Sequence, residues 1–388
     1  MMKFRTKSAS LLLFVLLALG SCTKKEAVST DHAASMATEI VVGEVGSMTG
    51  SEATFGSSTH MGIEMAFEQI NAAGGVKGKK FKVVSLDDQG KPDEAATAVT
   101  KLITQDKIVA LLGEVASSRS LAMAPIAQAH GVPMITPSST NPKVTEQGNY
   151  IFRVCFIDPF QGTVMAKFAQ DTLKLKNVAI LRDVKNDYSV GLADYFTQTF
   201  TKNGGTIVVD QSYSAGDMDF KSQLTAIRAK KPEAIYVPGY YTEVGLIARQ
   251  AKELGLNVPL MGGDGWDSPK LTEIGGKSIE GAYFSNHYSP EDQSPVVQKF
   301  LSEFRAKYGV VPDSMAAMGY DAAKVLANAM TRAPELSNTA IRDAIATTKD
   351  YPGVTGVITL NEKRDAVKSA VVLKVAAGGY TYQTTVKP

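Results

Sequence analysis

Two short loops carry the residues of this chain best suited to holding a charged group. Ala116-Ser117-Ser118 follows the apolar stretch Val109–Gly113, and Thr136-Pro-Ser-Ser-Thr140 follows Val132–Ile135. Hydroxyls and backbone N–H groups gathered where a strand turns into a helix make an arrangement that holds anions. The nucleotide alternatives fail on spacing. Gly43, Gly46 and Gly50 do not form G-x-G-x-x-G, and Gly74-Gly75-Val-Lys-Gly-Lys-Lys80 lacks both the spacing and the Ser/Thr of a phosphate loop. There is no G-x-S-x-G elbow. His32, His60, His130 and His287 stand beside no nucleophile pattern and show no zinc-ligand spacing. No catalytic residue, metal or cofactor is expected.

The two cysteines have different contexts. Lys3, Arg5 and Lys7 precede the apolar run Leu11–Leu19, then small residues and Cys22. That run is well short of the about 20 residues a membrane-spanning helix needs, and a basic leader with a small-residue exit is the export pattern. Leu19-Gly20-Ser21-Cys22 resembles the bacterial lipobox, which implies lipidation of Cys22 after residues 1–22 are processed as a lipoprotein signal peptide. Lipid chains at Cys22 would anchor the chain to a bacterial membrane, in the periplasm or at the cell surface. Residues 23–38, rich in Lys, Ser, Thr, Ala and His without periodicity, read as a flexible tether. Cys155 is then left alone at the end of the apolar pattern Tyr150–Cys155, so no disulfide framework exists, and it reads as a small buried hydrophobe.

The elements that must position the hydroxyl loops follow a strict alternation. Ile40–Val45 reads as a buried strand, followed by a helix with Ile63, Ala66, Phe67 and Ile70 on one face. Strand Phe81–Leu86, helix Glu94–Gln105, strand Val109–Gly113, helix Ser118–His130 and strand Val132–Ile135 continue it. A second series runs from Val178–Leu181 to Ala282–Ser285. Short, continuously apolar strands alternating with helices indicate parallel sheets covered on both faces. About 350 residues exceed one core, so two doubly wound α/β lobes are expected. The helices Val296–Tyr308 and Met315–Met330 must join one lobe or the other.

Composition removes other classes. With 44% hydrophobic and 21% charged residues the chain is ordinary globular material. Removing the leader, whose three charges are all basic, turns the formal net charge from +2 to −1. A nucleic-acid partner, which calls for a clustered basic stripe, is therefore not expected.

Taken together, several motifs resemble the periplasmic leucine/isoleucine/valine-binding proteins, the type I solute-binding components of ATP-driven importers. They are Gly43-x-x-Gly-Ser-Met-Thr-Gly50, Asp87-Asp88, Gly113–Ser118, Ile135–Thr140, Asp158-Pro-Phe-Gln-Gly162, Pro238-Gly-Tyr240 and Gly262-Gly-Asp-Gly265. The resemblance covers almost all of the chain after the tether. It implies two lobes built from non-contiguous segments, 39–158 plus 288–353 and 159–287 plus 354–388, joined by a three-segment hinge near Asp158, Tyr288 and Gly353. It also implies a monomeric binder, not an enzyme, that closes on a small amino acid and hands it to an ABC permease with its ATPase. Contact with the membrane would be through the lipid anchor alone.

The resemblance further implies residue roles. Ser117 and Thr140, with the backbone of Ser138, would hold the solute's carboxylate, and Asp264 would hold its ammonium where the family has glutamate. Tyr188 and Tyr240 would close over the solute, while Phe55, Val115, Ala116 and Tyr320 would line its side chain. Helix capping is the competing reading for Ser117, Thr140 and Asp264. Two departures stand out. Trp266, two residues after Asp264, would shrink or reshape the pocket, and Gly90 and Ala116 occupy the places of the family's disulfide. Two alternatives stay open: a non-amino-acid solute such as an amide, urea, or organic or aromatic acid, and a surface lipoprotein that senses its ligand.

Overall fold

The computed structural model describes residues 38–388; the leader, Cys22 and the tether before residue 38 lie outside the described residues. The first sheet is built from β1 (Glu39–Gly46), α1 (Ala53–Ala72), β2 (Lys80–Asp87), α2 (Pro92–Thr104), β3 (Ala110–Leu112), α3 (Ser117–Ala129), β4 (Met134–Thr136), α4 (Lys143–Glu146) and β5 (Ile151–Arg153). Its five strands run in the order β2-β1-β3-β4-β5, all parallel. After Glu39, β1 is buried along its whole length, as a strand covered by helices on both faces must be.

The second series comprises α5 (Asp158–Lys167), β6 (Asn177–Asp183), α6 (Asp187–Lys202), β7 (Thr206–Tyr213), α7 (Lys221–Ala229), β8 (Ala234–Tyr236), α8 (Tyr241–Glu253), β9 (Leu260–Gly262), α9 (Pro269–Gly275) and β10 (Tyr283–Asn286). Then come α10 (Pro295–Tyr308), α11 (Ser314–Arg332), α12 (Asn338–Ala346), the hairpin strands β11 (Tyr351–Gly353) and β12 (Gly356–Ile358), and finally β13 (Ala370–Ala376) and β14 (Gly379–Val386). The seven-stranded second sheet has the order β14-β13-β10-β9-β8-β6-β7. It is parallel up to β10, but β13 and β14 extend it antiparallel, an edge the strand-and-helix alternation did not suggest.

α10 and α11 belong with the first sheet. Phe300 and Phe304 of α10 pack with Met65 of α1, and Met318 and Leu326 of α11 pack with Val42, Ile135 and Phe152. α1 and α11 approach closely at paired glycines. A methyl group at Gly62 would lie 2.0 Å from the Ala316 carbonyl oxygen, and one at Gly319 2.4 Å from that of Thr59.

The chain passes between the sheets three times. The passages after β5 and after β10 lead to α5 and α10. The third lies at 367–369 and not near Gly353. Ile358, Leu360 and Ala366 pack in the first core, and the chain enters the second only at Ala370. The β11–β12 turn stays with the first lobe because Asp321 of α11 accepts the amides of Val354 and Thr355, both at 2.8 Å.

Candidate functional site

Both sheets reverse strand order between their first strand and the next one outward, β1 against β3 and β6 against β8. In open parallel sheets, ligands bind beyond the carboxyl ends of the strands at such reversals. The two reversal points face each other. The turns after β3 and β4 bring Val115, Ser117 and Ser138, and the start of α1 brings Phe55. The turns after β6, β8 and β9 bring Tyr188, Tyr240 and Asp264. Together with Gly265 and Met315 these side chains enclose a small cavity with about 10 Å³ of free volume.

Asp264 is its charged wall. The residue is 2% exposed, and its carboxylate accepts from the Tyr188 hydroxyl at Oδ1 (3.0 Å) and from His287 Nε2 at Oδ2 (2.9 Å). Ser138 Oγ reaches Oδ2 at 3.4 Å, and the Asp264 amide donates to Gln161 Oε1 at 3.0 Å. Asp264 makes no capping bond. The helix that follows, α9, is capped by Ser268, whose hydroxyl accepts the Lys270 amide at 3.1 Å. A carboxylate out of water is stable only when such donors or a cation meet it.

Opposite stands the first turn of α3. Ser117 is its first residue and Ala116 its cap, with no side-chain capping bond. The Ser117 hydroxyl instead accepts the Asn141 amide at 3.2 Å. The aromatic walls are held by each other. Tyr188 stacks on Tyr240 at 5.4 Å, and Phe55 meets the Tyr240 ring edge-on at 5.4 Å. Burial, and then the Asp264 charge, push the Tyr188 hydroxyl well above its ordinary pKa, so it serves as a donor.

A buried ionic group fixes the turns behind the cavity. Arg119 pairs with Glu52 at 2.7 Å and with Glu114 at 3.0 Å. Glu114 takes the Ala116 amide at 2.6 Å, and Arg119 Nη1 donates to the Gly90 carbonyl at 3.3 Å. Gly90 and Ala116, the two positions the sequence showed to lack cysteines, are thus tied by a guanidinium and a carboxylate. Ser47 extends the group, donating to Asp88 at 2.7 Å. Burial, then the neighbouring Glu114 charge, push Asp88 up to about 7.

Four expected residues do not line the cavity. Trp266 is fully buried in the second core, its indole N–H donating to the Val237 carbonyl at 3.0 Å and its ring 6.0 Å from Phe284. It fills space against Gly262, not the pocket. Tyr320 faces Phe300 and donates to Gln69 at 2.7 Å, on the far side of α11. Ala116 is buried in the turn, its amide spent on Glu114, and Thr140 is buried behind Ser138, its carbonyl taking the Asp158 amide at 3.0 Å. Two residues had no signal near the motifs: Met315, brought in by the start of α11, and His287, brought in by the second passage between the sheets.

Hydrogen bonds cross between the lobes around the cavity. Thr54 Oγ1 and Ser268 Oγ lie 2.9 Å apart, Thr242 donates to the Ser51 carbonyl at 2.6 Å, and Asn141 donates to the Asp187 carbonyl at 2.9 Å. A larger groove of about 790 Å³ lies between α1, the 310–313 turn and the β13–β14 turn, but it is mostly apolar and open, without a convergent set of donors. The small cavity, with a carboxylate facing a helix start across aromatic walls, is suited to a small solute that carries both charges.

Residues 39–380 match the family profile of the periplasmic binding proteins. A leucine-, isoleucine-, valine-, threonine- and alanine-binding protein of Pseudomonas aeruginosa is 33% identical over 85% of this chain and 88% of its own length. A crystal structure of a leucine-binding protein, LivK, from Thermotoga maritima is 42% identical, with a TM-score of 0.87 over 90% of this chain and 99% of its own. The branched-chain amino acid binding protein LivJ of Streptococcus pneumoniae, in complex with isoleucine, is 34% identical, with a TM-score of 0.85 over 90% of this chain and all of its own.

Proposed function

The chain belongs to the periplasmic binding protein family, solute-binding components of transporters and not enzymes, and from this we propose that it captures a small apolar amino acid between its lobes for an ABC importer. Proteins of this family act in the periplasm or outside the cell. The observation that carries the reading is Asp264, a buried carboxylate opposed to the start of α3 and Ser117 across a cavity walled by Phe55, Tyr188 and Tyr240. A solute ammonium would complete the partners of Asp264, while the α3 N–H groups, the Ser117 hydroxyl and the backbone of Ser138 meet its carboxylate. The relatives that bind leucine and isoleucine support an apolar side chain. Since the walls enclose only about 10 Å³, such a solute enters with the lobes apart and is covered when they close.

Calorimetry tests the reading. Leucine, isoleucine or valine is expected to bind the wild-type chain, and Asp264→Ala to abolish binding with the circular dichroism spectrum unchanged. Unchanged affinity in that variant sinks the ammonium site, and stabilisation by benzoate or urea but by no amino acid sinks the substrate class. Trp266, the feature that favoured such solutes, lies outside the cavity. The proposal extends to a monomer, since one chain supplies every wall, and to an anchor at Cys22, supported by the Leu-Gly-Ser-Cys motif. Cys22→Ser is expected to release the protein from the membrane fraction.

A further inference from the structure

His287 follows β10 where the chain leaves the second lobe. Its ring is buried and lies stacked 4.0 Å from Phe156, with an interplanar angle of 26°. Nε2 is 2.9 Å from Asp264 Oδ2 and 3.4 Å from Ser138 Oγ, whereas Nδ1 has no hydrogen-bond partner among the described residues. A donor is needed on Nε2 to bond the Asp264 carboxyl oxygen, and with no acceptor at Nδ1 the geometry favours the Nε2–H tautomer. A second proton would sit on Nδ1, buried and without an acceptor, which costs the desolvation of that N–H.

The Asp264 carboxylate is positioned by donors from three separate elements, Tyr188, His287 and Ser138. Resting on the amino-acid reading above, we propose that His287 is the positioning residue of the ammonium site: its Nε2–H fixes Asp264 Oδ2, and a protonated His287 displaces the solute's ammonium as the countercharge of Asp264. Neutral His287 leaves the full negative charge of Asp264 to the solute. Charged His287 pairs with it, and the solute's ammonium then meets a neutralised site beside a like charge.

The groups facing the ring give the pH dependence its sign. Burial is the main effect and lowers the pKa of His287, the nearby Asp264 raises it, Lys368 from the third passage lowers it and Asp267 raises it, leaving a net lowering. Asp158, at the start of α5, stands in the field of the same Asp264 carboxylate and is pushed up to about 7 by burial. His287 therefore takes no affinity from an ammonium solute above its own pKa and lowers affinity below it, with a proton released from the ring on binding there.

Leucine, whose two charges do not change over the range, is titrated calorimetrically into the wild-type chain and variants from pH 8 to pH 5. Wild-type Kd is expected to rise by up to about tenfold per pH unit below the His287 pKa, with one linked proton. His287→Gln keeps an N–H donor, so its Kd at pH 8 is expected within about threefold of wild type, with the acid limb gone. His287→Leu is expected to bind more weakly at every pH, and Asp158→Asn to keep the acid limb. Nitrogen NMR of the free protein is expected to show His287 as the neutral Nε2–H tautomer near neutral pH.

An acid limb that persists in His287→Gln overturns the proposal, as does a neutral Nδ1–H tautomer. Leucine that binds wild type with a flat profile removes the inference alone. No amino-acid binding at pH 8 removes the functional reading, and the inference with it.

Discussion

Ser118, on the first lobe, and Asp187, on the second, exchange two hydrogen bonds across the cleft: the Ser118 hydroxyl donates to Asp187 Oδ2 at 2.9 Å and accepts the Asp187 amide at 3.0 Å. Both residues lie in the first turns of helices, α3 and α6, so the contact joins the two helix starts beside the cavity. It exists only when the lobes are together.

Ser118→Ala is accordingly expected to weaken solute binding through faster release. The substitution removes both exposed hydrogen bonds; at about 0.5–1.5 kcal/mol each they contribute about 1–3 kcal/mol, roughly 5–160-fold in Kd, with the low end expected for exposed groups. Stopped-flow release of radiolabelled leucine checks this. An unchanged release rate would mean that the contact does not hold the closed form.

Trp266 concerns stability, not specificity. Replacing a fully buried Trp by Ala removes its core contacts and its hydrogen bond to the Val237 carbonyl, at a cost of about 3–5 kcal/mol. The melting temperature of Trp266→Ala is expected to fall by many degrees. The rank order of solutes bound at low temperature should stay the same, and a changed order would return Trp266 to the pocket.

Cys155 is expected to be inert in the native protein. It is fully buried, with burial pushing its thiol up to about 12, so almost no thiolate exists at neutral pH. A thiol reagent such as Ellman's should label it only after unfolding. Rapid labelling of the folded chain would contradict its position.

Asp158 sets one part of the stability profile. Burial pushes it up to about 7, so the folded chain holds a proton there that an unfolded chain, titrating near 3.9, has already released. The group's ionisation therefore destabilises the fold at high pH, and stability rises as pH falls through about 7. Lowered His287 acts in the opposite sense below about 6.5, so the wild-type profile mixes the two and the difference between wild type and Asp158→Asn, which changes between about pH 7 and 3.9, isolates Asp158. Asp158→Asn should melt at or above wild type at pH 8, with the difference shrinking on acidification. A variant that melts lower by the same amount at every pH would show the carboxylate to be favourably bound.

The alternation of strands and helices was legible because buried parallel strands must be apolar throughout, and the hydroxyl turns stand directly after two of them. Side-chain direction was harder to read. Trp266 adjoins Asp264 in sequence, but in a turn of about three residues per revolution a side chain two positions on points about 240° away. Tyr320 is five residues beyond Met315, about 140° around α11, so the helix that supplies Met315 to the cavity turns Tyr320 away from it. His287 could not be found from its neighbours at all. Only the passage of the chain through the hinge brings it to Asp264.

The three passages between the sheets also govern assembly. α11 begins at Ser314, long after the first sheet has ended at Arg153, and β13–β14 join the second sheet last of all. In a chain delivered from its N-terminus, β1–β5 exist for most of that time without the helix that covers α1. Such distant pairings make folding slow. The polypeptide thus stays threadable until nearly all of it has emerged, and a product cut short before α11 completes neither half.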